Sequence, residues 1–249
     1  MLILLPPSET KRDGGRRVPL DMTSWHYPSL AGARSVTVDA LVELASDEDA
    51  CRRVLRLGPS QAGEVAVNAA LRTSPTMPAI DRYTGVLYDA LDASSLDAPA
   101  RRWLGAHVRV HSAPFGLVGA LDAIPRYRLG AGVSLPGLGS AARVWRDATT
   151  AALGAEASRF ILDLRSEAYV ALGPVPAATP SAYVRVVTES ADGAVRAMNH
   201  FNKHAKGALV RALAMSRPRV STRAGFHRWA EEAGWRTRDN DRGEVELFA

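Results

Sequence analysis

The sequence predicts a mixed fold, between α/β and α+β, in a single compact domain that spans residues 1–249. Three observations lead to this class. Short apolar runs typical of buried strands alternate with stretches in which apolar residues recur at helical spacing. A glycine- and proline-rich segment occupies the middle of the chain. No internal repeat or low-complexity linker divides the chain, whose length suits one large domain or two small ones.

The predicted strands are short and apolar, and one of them opens the chain. The first run, Met1–Leu5, ends at two consecutive prolines, which cannot continue a strand. β-Branched residues favour extended structure in the later runs. The five predicted strands are Met1–Leu5, Val108–Val110, Phe160–Leu164, Tyr183–Thr188 and Glu244–Phe248.

Helices are predicted where apolar residues recur every three or four positions. Between Val36 and Leu71 the pattern indicates two or three helices, with Asp47 and Ser60 as N-caps. The other predicted helices are Arg82–Leu91, Pro99–Leu104, Ala141–Gly154, Ala194–Met215 and Thr222–Ala233. The intervening segment Pro114–Gly139 holds six glycines and three prolines, which predicts a long loop of the kind that carries function.

Composition excludes several classes of protein. With 47% hydrophobic and 23% charged residues, the chain is neither disordered nor collagen-like. Its apolar runs are far shorter than the roughly 20 residues that cross a bilayer, and its N-terminus lacks the basic region of a signal peptide. The lone Cys51 excludes an internal disulfide and a cysteine-based zinc site. We therefore expect a cytoplasmic protein without membrane contact.

The charge balance points to an anionic partner. The net charge is +5, and three of the 31 basic residues are lysines, the remaining 28 being arginines. A basic protein with a pI near 9.7 attracts nucleic acid and other anions. Two simpler explanations stay open: a solvated, mildly basic surface, and an arginine excess that reflects GC-rich coding.

Basic residues concentrate near the C-terminus. From Arg196 to Arg242 there are eleven basic and four acidic residues. The predicted helix there places Lys203, Lys206 and, more loosely, Arg211 on neighbouring turns, where like charges repel and an anion would relieve the repulsion. The alternative is an exposed basic helix face.

A second candidate for phosphate binding is a turn between two predicted helices. A helix-hairpin-helix element, usually Leu-Pro-Gly-Val-Gly-Pro-x-x-Ala, grips one DNA phosphate through backbone amides. Residues 55–62 keep Gly58, the following proline and Ala62, with Ser60 inside the turn, but Arg56 replaces the first glycine. An ordinary helix turn is the alternative.

Other motifs carry less weight. His200 and His204 have the i, i+4 spacing of a shared metal, but neighbouring lysines oppose a cation, and we predict neither a metal nor a cofactor. No dinucleotide fingerprint or Walker A motif occurs. Asp122, and Asp163 with Arg165 and Glu167, are acid–base groups or buried ion pairs.

Seven segments together identify a family resemblance that runs nearly end to end. They are Met1–Lys11 (MLILLPPSETK), Tyr83–Tyr88 (YTGVLY), Ser112–Asp122 (SAPFGLVGALD), Ile124–Leu129 (IPRYRL), Val144–Asp147 (VWRD), Leu162–Tyr169 (LDLRSEAY) and Asn202–Arg211 (NKHAKGALVR). With these segments the chain resembles the peroxide stress protein YaaA family. Departures include Phe115 at the family's tyrosine place and Arg165 at its alanine place.

This resemblance implies a compact mixed domain with a positively charged cleft and a helix-hairpin-helix-like element. It also implies DNA binding in the peroxide stress response and a limit on iron-driven damage. Since no cluster of ligand residues stands at metal spacing, we interpret the iron effect as indirect.

Two functions of different class follow as expectations, with a third as the plainest alternative. The first is binding of double-stranded DNA without sequence preference, and the second is an enzyme acting on a small anionic or nucleotide-like ligand. The third is a scaffold that protects DNA by occupancy alone. The predicted ligand- or DNA-binding residues are Ser8, Lys11, Gly58, Ser60, Arg128, Arg165, Ser166, Lys203, Lys206 and Arg211. The catalytic candidates are Lys11, Asp122, Tyr127, Glu167 and Lys206.

Overall fold

A computed structural model describes residues 1–16, 18, 20–156, 158–189, 195–197 and 201–249, without the side chains of 189, 195–197 and 201. The strands are β1 (Leu2–Leu5), β2 (Thr76–Pro78), β3 (Val108–Ser112), β4 (Gly116–Gly119), β5 (Ala123–Pro125), β6 (Ser134–Leu135), β7 (Gly139–Ser140), β8 (Ile161–Asp163), β9 (Ser181–Glu189), β10 (Val195–Ala197), β11 (Thr237–Asp239) and β12 (Val245–Phe248). The helices are α1 (Ala31–Leu44), α2 (Glu48–Leu55), α3 (Gly63–Ala69), α4 (Ala79–Arg82), α5 (Val86–Leu91), α6 (Ala98–His107), α7 (Ala141–Gly154), α8 (Glu167–Val170), α9 (Phe201–Ser216) and α10 (Arg223–Glu232).

A mixed sheet organises the molecule. Its order is β11-β12-β9-β8-β1-β3-β4, and β10 pairs with the far end of β9. The strands from β12 to β3 run parallel, whereas β4, β10 and β11 are antiparallel to their neighbours. In the centre, Leu4 of β1 lies opposite Arg109 of β3 and Asp163 of β8. This arrangement confirms the predicted mixed fold.

The alternation of side chains in β1 divides the core in two. Ile3 and Leu5 face the larger core, which includes residues of α5, α6 and α9. Leu2 and Leu4 face a smaller core built around Trp145 of α7. All four residues are fully buried because a central parallel strand is covered on both faces, which explains its continuous apolar sequence.

Several predicted boundaries are confirmed, and others are wrong for identifiable reasons. The Asp47 carboxylate accepts from the amide of Ala50 and caps α2 as predicted. Ser60 is not an N-cap, because extended Gly58 opens a 3₁₀ turn over Pro59–Gln61 and α3 begins at Gly63. The segment Pro114–Gly139 is less loop-like than predicted, since it contains β4 to β6 and reaches β7.

The predicted helix Ala194–Met215 begins too early. Residues 195–197 form β10, which pairs with the end of β9 that extends past β8, and α9 starts at Phe201. His200 lies outside the described residues, so the structure does not test its pairing with His204. The predicted helix Arg82–Leu91 also begins too early, because Arg82 ends α4 and α5 starts at Val86, after Gly85 with its φ of 93°.

Candidate functional site at the carboxyl end of the sheet

The topology singles out one edge of the sheet. After β1 the chain crosses to β3 on one side, whereas after the adjacent β8 it crosses to β9 on the other side. Where the connections of neighbouring parallel strands diverge in this way, a crevice forms at their carboxyl ends, and ligands bind there. The segments 6–11 and 164–167 follow β1 and β8 at this edge. We call the surroundings of these two segments the switch-point site.

Lys11 lies at this site in a closely packed setting. Its Nζ donates to the backbone carbonyl oxygens of Ser8, at 2.9 Å, and Glu9, at 3.3 Å. The same atom lies 4.0 Å from the ring centroid of Tyr127 and 5.6 Å from that of Tyr83. These contacts fix the position of the amine.

The electrostatic setting of Lys11 disfavours its charge. Burial, and after it the positive charge of Arg128, lower the pKa of the Lys11 amine to about 7. Glu64 and Glu9 act in the opposite direction without restoring the ordinary value. Near neutral pH the amine is therefore divided between its charged and neutral forms, which suits it to accept or donate a proton.

A chain of hydroxyl groups lies under Lys11. The Tyr83 and Tyr127 hydroxyls are 2.8 Å apart, and the Ser112 hydroxyl donates to Tyr127 at 2.9 Å. Burial raises the pKa of Tyr83 to about 12 and that of Tyr127 well above its usual value, so both phenols stay protonated at neutral pH. Sequence reasoning assigns no role to Tyr83 or Ser112. The available signal for Ser112 is a polar residue that ends an otherwise apolar strand.

Lys206 is the second lysine at the site. It is 4% exposed, and its Nζ lies 5.3 Å from the ring centroid of Tyr183. Burial lowers the pKa of Lys206 to about 8, although the nearby Asp163 carboxylate raises it. The next residue, Gly207, sets this position, because a Cβ there would lie 2.0 Å from the carbonyl oxygen of Leu87 in α5.

Arg165 forms a buried network at the carboxyl end of β8. Its guanidinium makes a bidentate pair with Asp163, at 2.9 and 2.7 Å, and also donates to the Gly173 carbonyl and to His111 Nδ1. Burial and Arg165 lower the pKa of His111 well below its usual value, so this imidazole is neutral. Arg165 is fully buried and holds the end of β8 in place.

A cavity of about 350 Å³ adjoins this network. Its polar lining includes Asp163, Glu167, Tyr183, Arg185 and Glu244. Arg185 donates to Glu244 at 2.8 Å and to Glu167 at 3.2 Å. Hydrogen bonds from Arg185 lower the pKa of Glu244 to about 2. Glu167, a predicted catalytic residue, thus lies at the site as an exposed partner of Arg185, and Ser166 precedes it at the start of α8.

The other predicted basic residues mostly have internal partners. Arg128 pairs with Glu9 at 3.1 Å. Arg211 donates to the carbonyls of Leu91 and Asp92 at the end of α5. Lys203 is exposed on α9, one turn from the buried Lys206. A continuous basic cleft through these residues stays a prediction.

The turn predicted to grip a phosphate lies between α2 and α3. Its amides are largely used within the turn: Leu57 donates to Arg52, Gly58 to the side chain of Gln61, and Gln61 back to Gly58. Arg56, the departure from the usual pattern, adopts a left-handed conformation with φ 54°. Phosphate binding at Gly58 and Ser60 stays a prediction.

Asp122 lies away from the switch-point site. Its carboxylate accepts from the amide of Gly119, which ends β4 opposite Arg109, near the amino end of β3. The same carboxylate contacts both the amide and the ring of His26. Although burial opposes it, hydrogen bonding by His26 and Gly119 holds the pKa of Asp122 below its usual range. These contacts indicate that Asp122 stabilises the turn after β4.

The family follows from a match that runs over nearly the whole chain. A family model described as peroxide stress protein YaaA matches residues 1–240. The chain belongs to this family. Among its relatives, a UPF0246 protein of Streptomyces coelicolor is 45% identical over 219 residues, covering 86% of this chain and 82% of the relative. Family members in Corynebacterium efficiens and Corynebacterium glutamicum are 44% identical over 229 residues and 41% over 244, and each alignment covers at least 89% of either chain.

Within the part of the chain that the structure describes, we find no helix long and apolar enough to cross a membrane.

Proposed function

We propose that this family member binds a small anionic ligand at the switch-point site and acts on it as an enzyme in the peroxide stress response. One observation carries the proposal: Lys206 is buried and Lys11 is half-buried, with its amine packed against two aromatic rings, at the same edge of the sheet. Removing an ammonium group from water costs free energy, and this cost lowers the pKa of both amines. An anion that enters the site would offset this cost by favouring the charged form of both amines.

The contacts of the remaining basic residues favour a small, confined ligand site rather than a broad basic surface. Arg128 and Arg211 have acidic or backbone partners, and Arg165 is fully buried against Asp163. A clamp for a nucleic-acid backbone needs several exposed cations along one face. A small-ligand site needs a concave surface with a few polar groups, and the cavity beside Asp163, together with the two lysines at the same edge of the sheet, supports such a site.

Thermal unfolding tests this proposal with a matched pair of variants. We expect inorganic phosphate and nucleoside phosphates to raise the Tm of the wild type and of Lys203→Ala, because Lys203 is exposed. The stabilisation should disappear in Lys206→Ala, which removes the buried amine from the same helix. An equal response from both variants, or no ligand that stabilises the wild type, would contradict the proposal.

Binding of duplex DNA without sequence preference is the second candidate. The net charge of +5 favours it, as do the exposed arginines Arg53 and Arg56 beside the turn at 55–62. Affinity for a short duplex should then fall with salt, by about 0.9 in log–log slope for each phosphate neutralised. Loss of affinity in Lys203→Ala or Arg56→Ala, but not in Lys206→Ala, would favour DNA binding at the surface over the buried site.

A further inference from the structure

The scarcity of lysine bears on the chemistry of the site. Three lysines stand among 31 basic residues, and two of them, the half-buried Lys11 and the buried Lys206, lie at the switch-point site. Arginine serves wherever a permanent charge is enough, and this chain uses it almost everywhere. Only lysine loses its proton readily on burial and then presents a nucleophilic amine. Lysine at these two positions therefore indicates a need for the amine itself.

The surroundings of Lys11 orient that amine. A neutral amine has two N–H bonds and one lone pair. The carbonyl oxygens of Ser8 and Glu9 lie 2.9 and 3.3 Å from Nζ and accept both N–H bonds. The lone pair is consequently directed away from these two acceptors, and no described hydrogen bond uses it.

The hydroxyl chain beneath Lys11 supplies proton donors. Nζ lies over the rings of Tyr83 and Tyr127, whose hydroxyls continue to Ser112. Because both phenols stay protonated near neutral pH, the chain can deliver a proton to an oxygen that leaves as water and recover it afterwards. The charged and titratable groups that face Lys11 are Glu9, Glu64, Tyr83, Arg126, Tyr127 and Arg128.

We propose that Lys11 Nζ is the reacting amine of the site and forms an imine with a carbonyl group of the anionic ligand. The ligand class is then a small phosphorylated or carboxylated aldehyde or ketone. The amine attacks the carbonyl carbon, a C–N bond forms, and the carbonyl oxygen leaves as water with the two amine hydrogens. The step needs neither an oxidant nor a reductant. This inference rests on the proposed anion site.

Reductive trapping tests the proposal on the full chain. The probe is pyridoxal 5′-phosphate, an aldehyde that carries a phosphate, followed by borohydride reduction and peptide mapping by mass spectrometry. At pH 7 a lysine with a pKa of about 7 has about 10³-fold more neutral amine than an ordinary lysine of pKa about 10.4. We therefore expect label on Lys11 to exceed that on the exposed Lys203 at least tenfold. Label on Lys203 or Lys206 that equals or exceeds that on Lys11 would overturn the inference.

Two comparisons separate this inference from the anion site itself. Pyridoxine 5′-phosphate, an alcohol that cannot form an imine, should raise the Tm of both the wild type and Lys11→Arg. The wild type should show the imine absorbance with pyridoxal 5′-phosphate, and Lys11→Arg should not. Stabilisation by the alcohol without label on Lys11 refutes the imine and keeps the anion site. Absence of both stabilisation and label overturns both proposals.

Discussion

Replacing Asp163 by asparagine should show how much the buried network contributes to the free energy of unfolding. Asp163 is 4% exposed, and its carboxylate accepts three hydrogen bonds from Arg165: two from the guanidinium and one from the backbone amide. A neutral amide at this position would leave the fully buried Arg165 without a counter-charge. Breaking a buried pair by removing one partner costs about 3–5 kcal/mol. For a chain of this length, that loss lowers Tm by roughly 6–20 °C.

Chemical denaturation and calorimetry measure this loss, with an exposed pair as the control. Glu48 and Arg52 form an i, i+4 pair at 3.9 Å on α2, and Glu48→Gln should cost no more than about 0.5 kcal/mol. The double variant Asp163→Asn, Arg165→Met removes both charges and should recover part of the loss. A change within about 1 kcal/mol in Asp163→Asn, or no recovery in the double variant, would refute the reasoning.

Two further predictions concern helix packing and pH. In urea unfolding, Gly207→Ala should lower the free energy of unfolding by about 1–3 kcal/mol, because the new Cβ would overlap the Leu87 carbonyl. The control is Gly32→Ala, whose Cβ meets nothing within 4 Å. It should leave the free energy of unfolding unchanged or raise it by up to about 1 kcal/mol. Equal effects would contradict the close contact of α9 with α5. Calorimetric titration with sulfate, which keeps its charge from pH 6 to 9, measures the second effect. The affinity should increase as pH falls through about 8 and then 7, because Lys206 and then Lys11 become charged. The charged and titratable groups that face Lys206 are Asp163, Glu167, Tyr183 and Arg185. Repeating the titration in Lys206→Arg, whose side chain keeps its charge, separates the titration of Lys206 from that of these neighbours. This variant should lose the dependence near pH 8. An affinity that stays constant across this range would contradict the role of the two amines.

Local patterns in the sequence predict much of the fold. The apolar run of β1 and the helix Ala141–Gly154, capped by Ser140, are both recognisable without any distant contact. The start of α9 is not, because the propensity of residues 194–200 does not reveal that β9 extends beyond β8 and offers a partner to β10. Tertiary pairing overrides local preference there.

The chemistry of the site depends even more on distant contacts. Lys203 and Lys206 are three positions apart and look equivalent in sequence, yet one is exposed and the other is buried. The difference comes from the contact of Gly207 with α5. Likewise, Lys11 meets Tyr83 and Tyr127 only after folding joins segments more than 70 residues apart. The sequence identifies the residue types, and the fold determines which of them are charged.

The central place of β1 has a consequence for how the chain folds. Leu4 pairs with Arg109 and Asp163, so the first strand can pair only with strands that lie more than 100 residues later in the chain. Sheets whose contacts are this distant in sequence fold slowly, since a large loop must close before any pairing compensates for the lost entropy. Until residues 161–163 have been synthesised, the apolar residues 2–5 lack one of their two neighbouring strands. During synthesis these apolar residues therefore favour aggregation until their second neighbouring strand has formed.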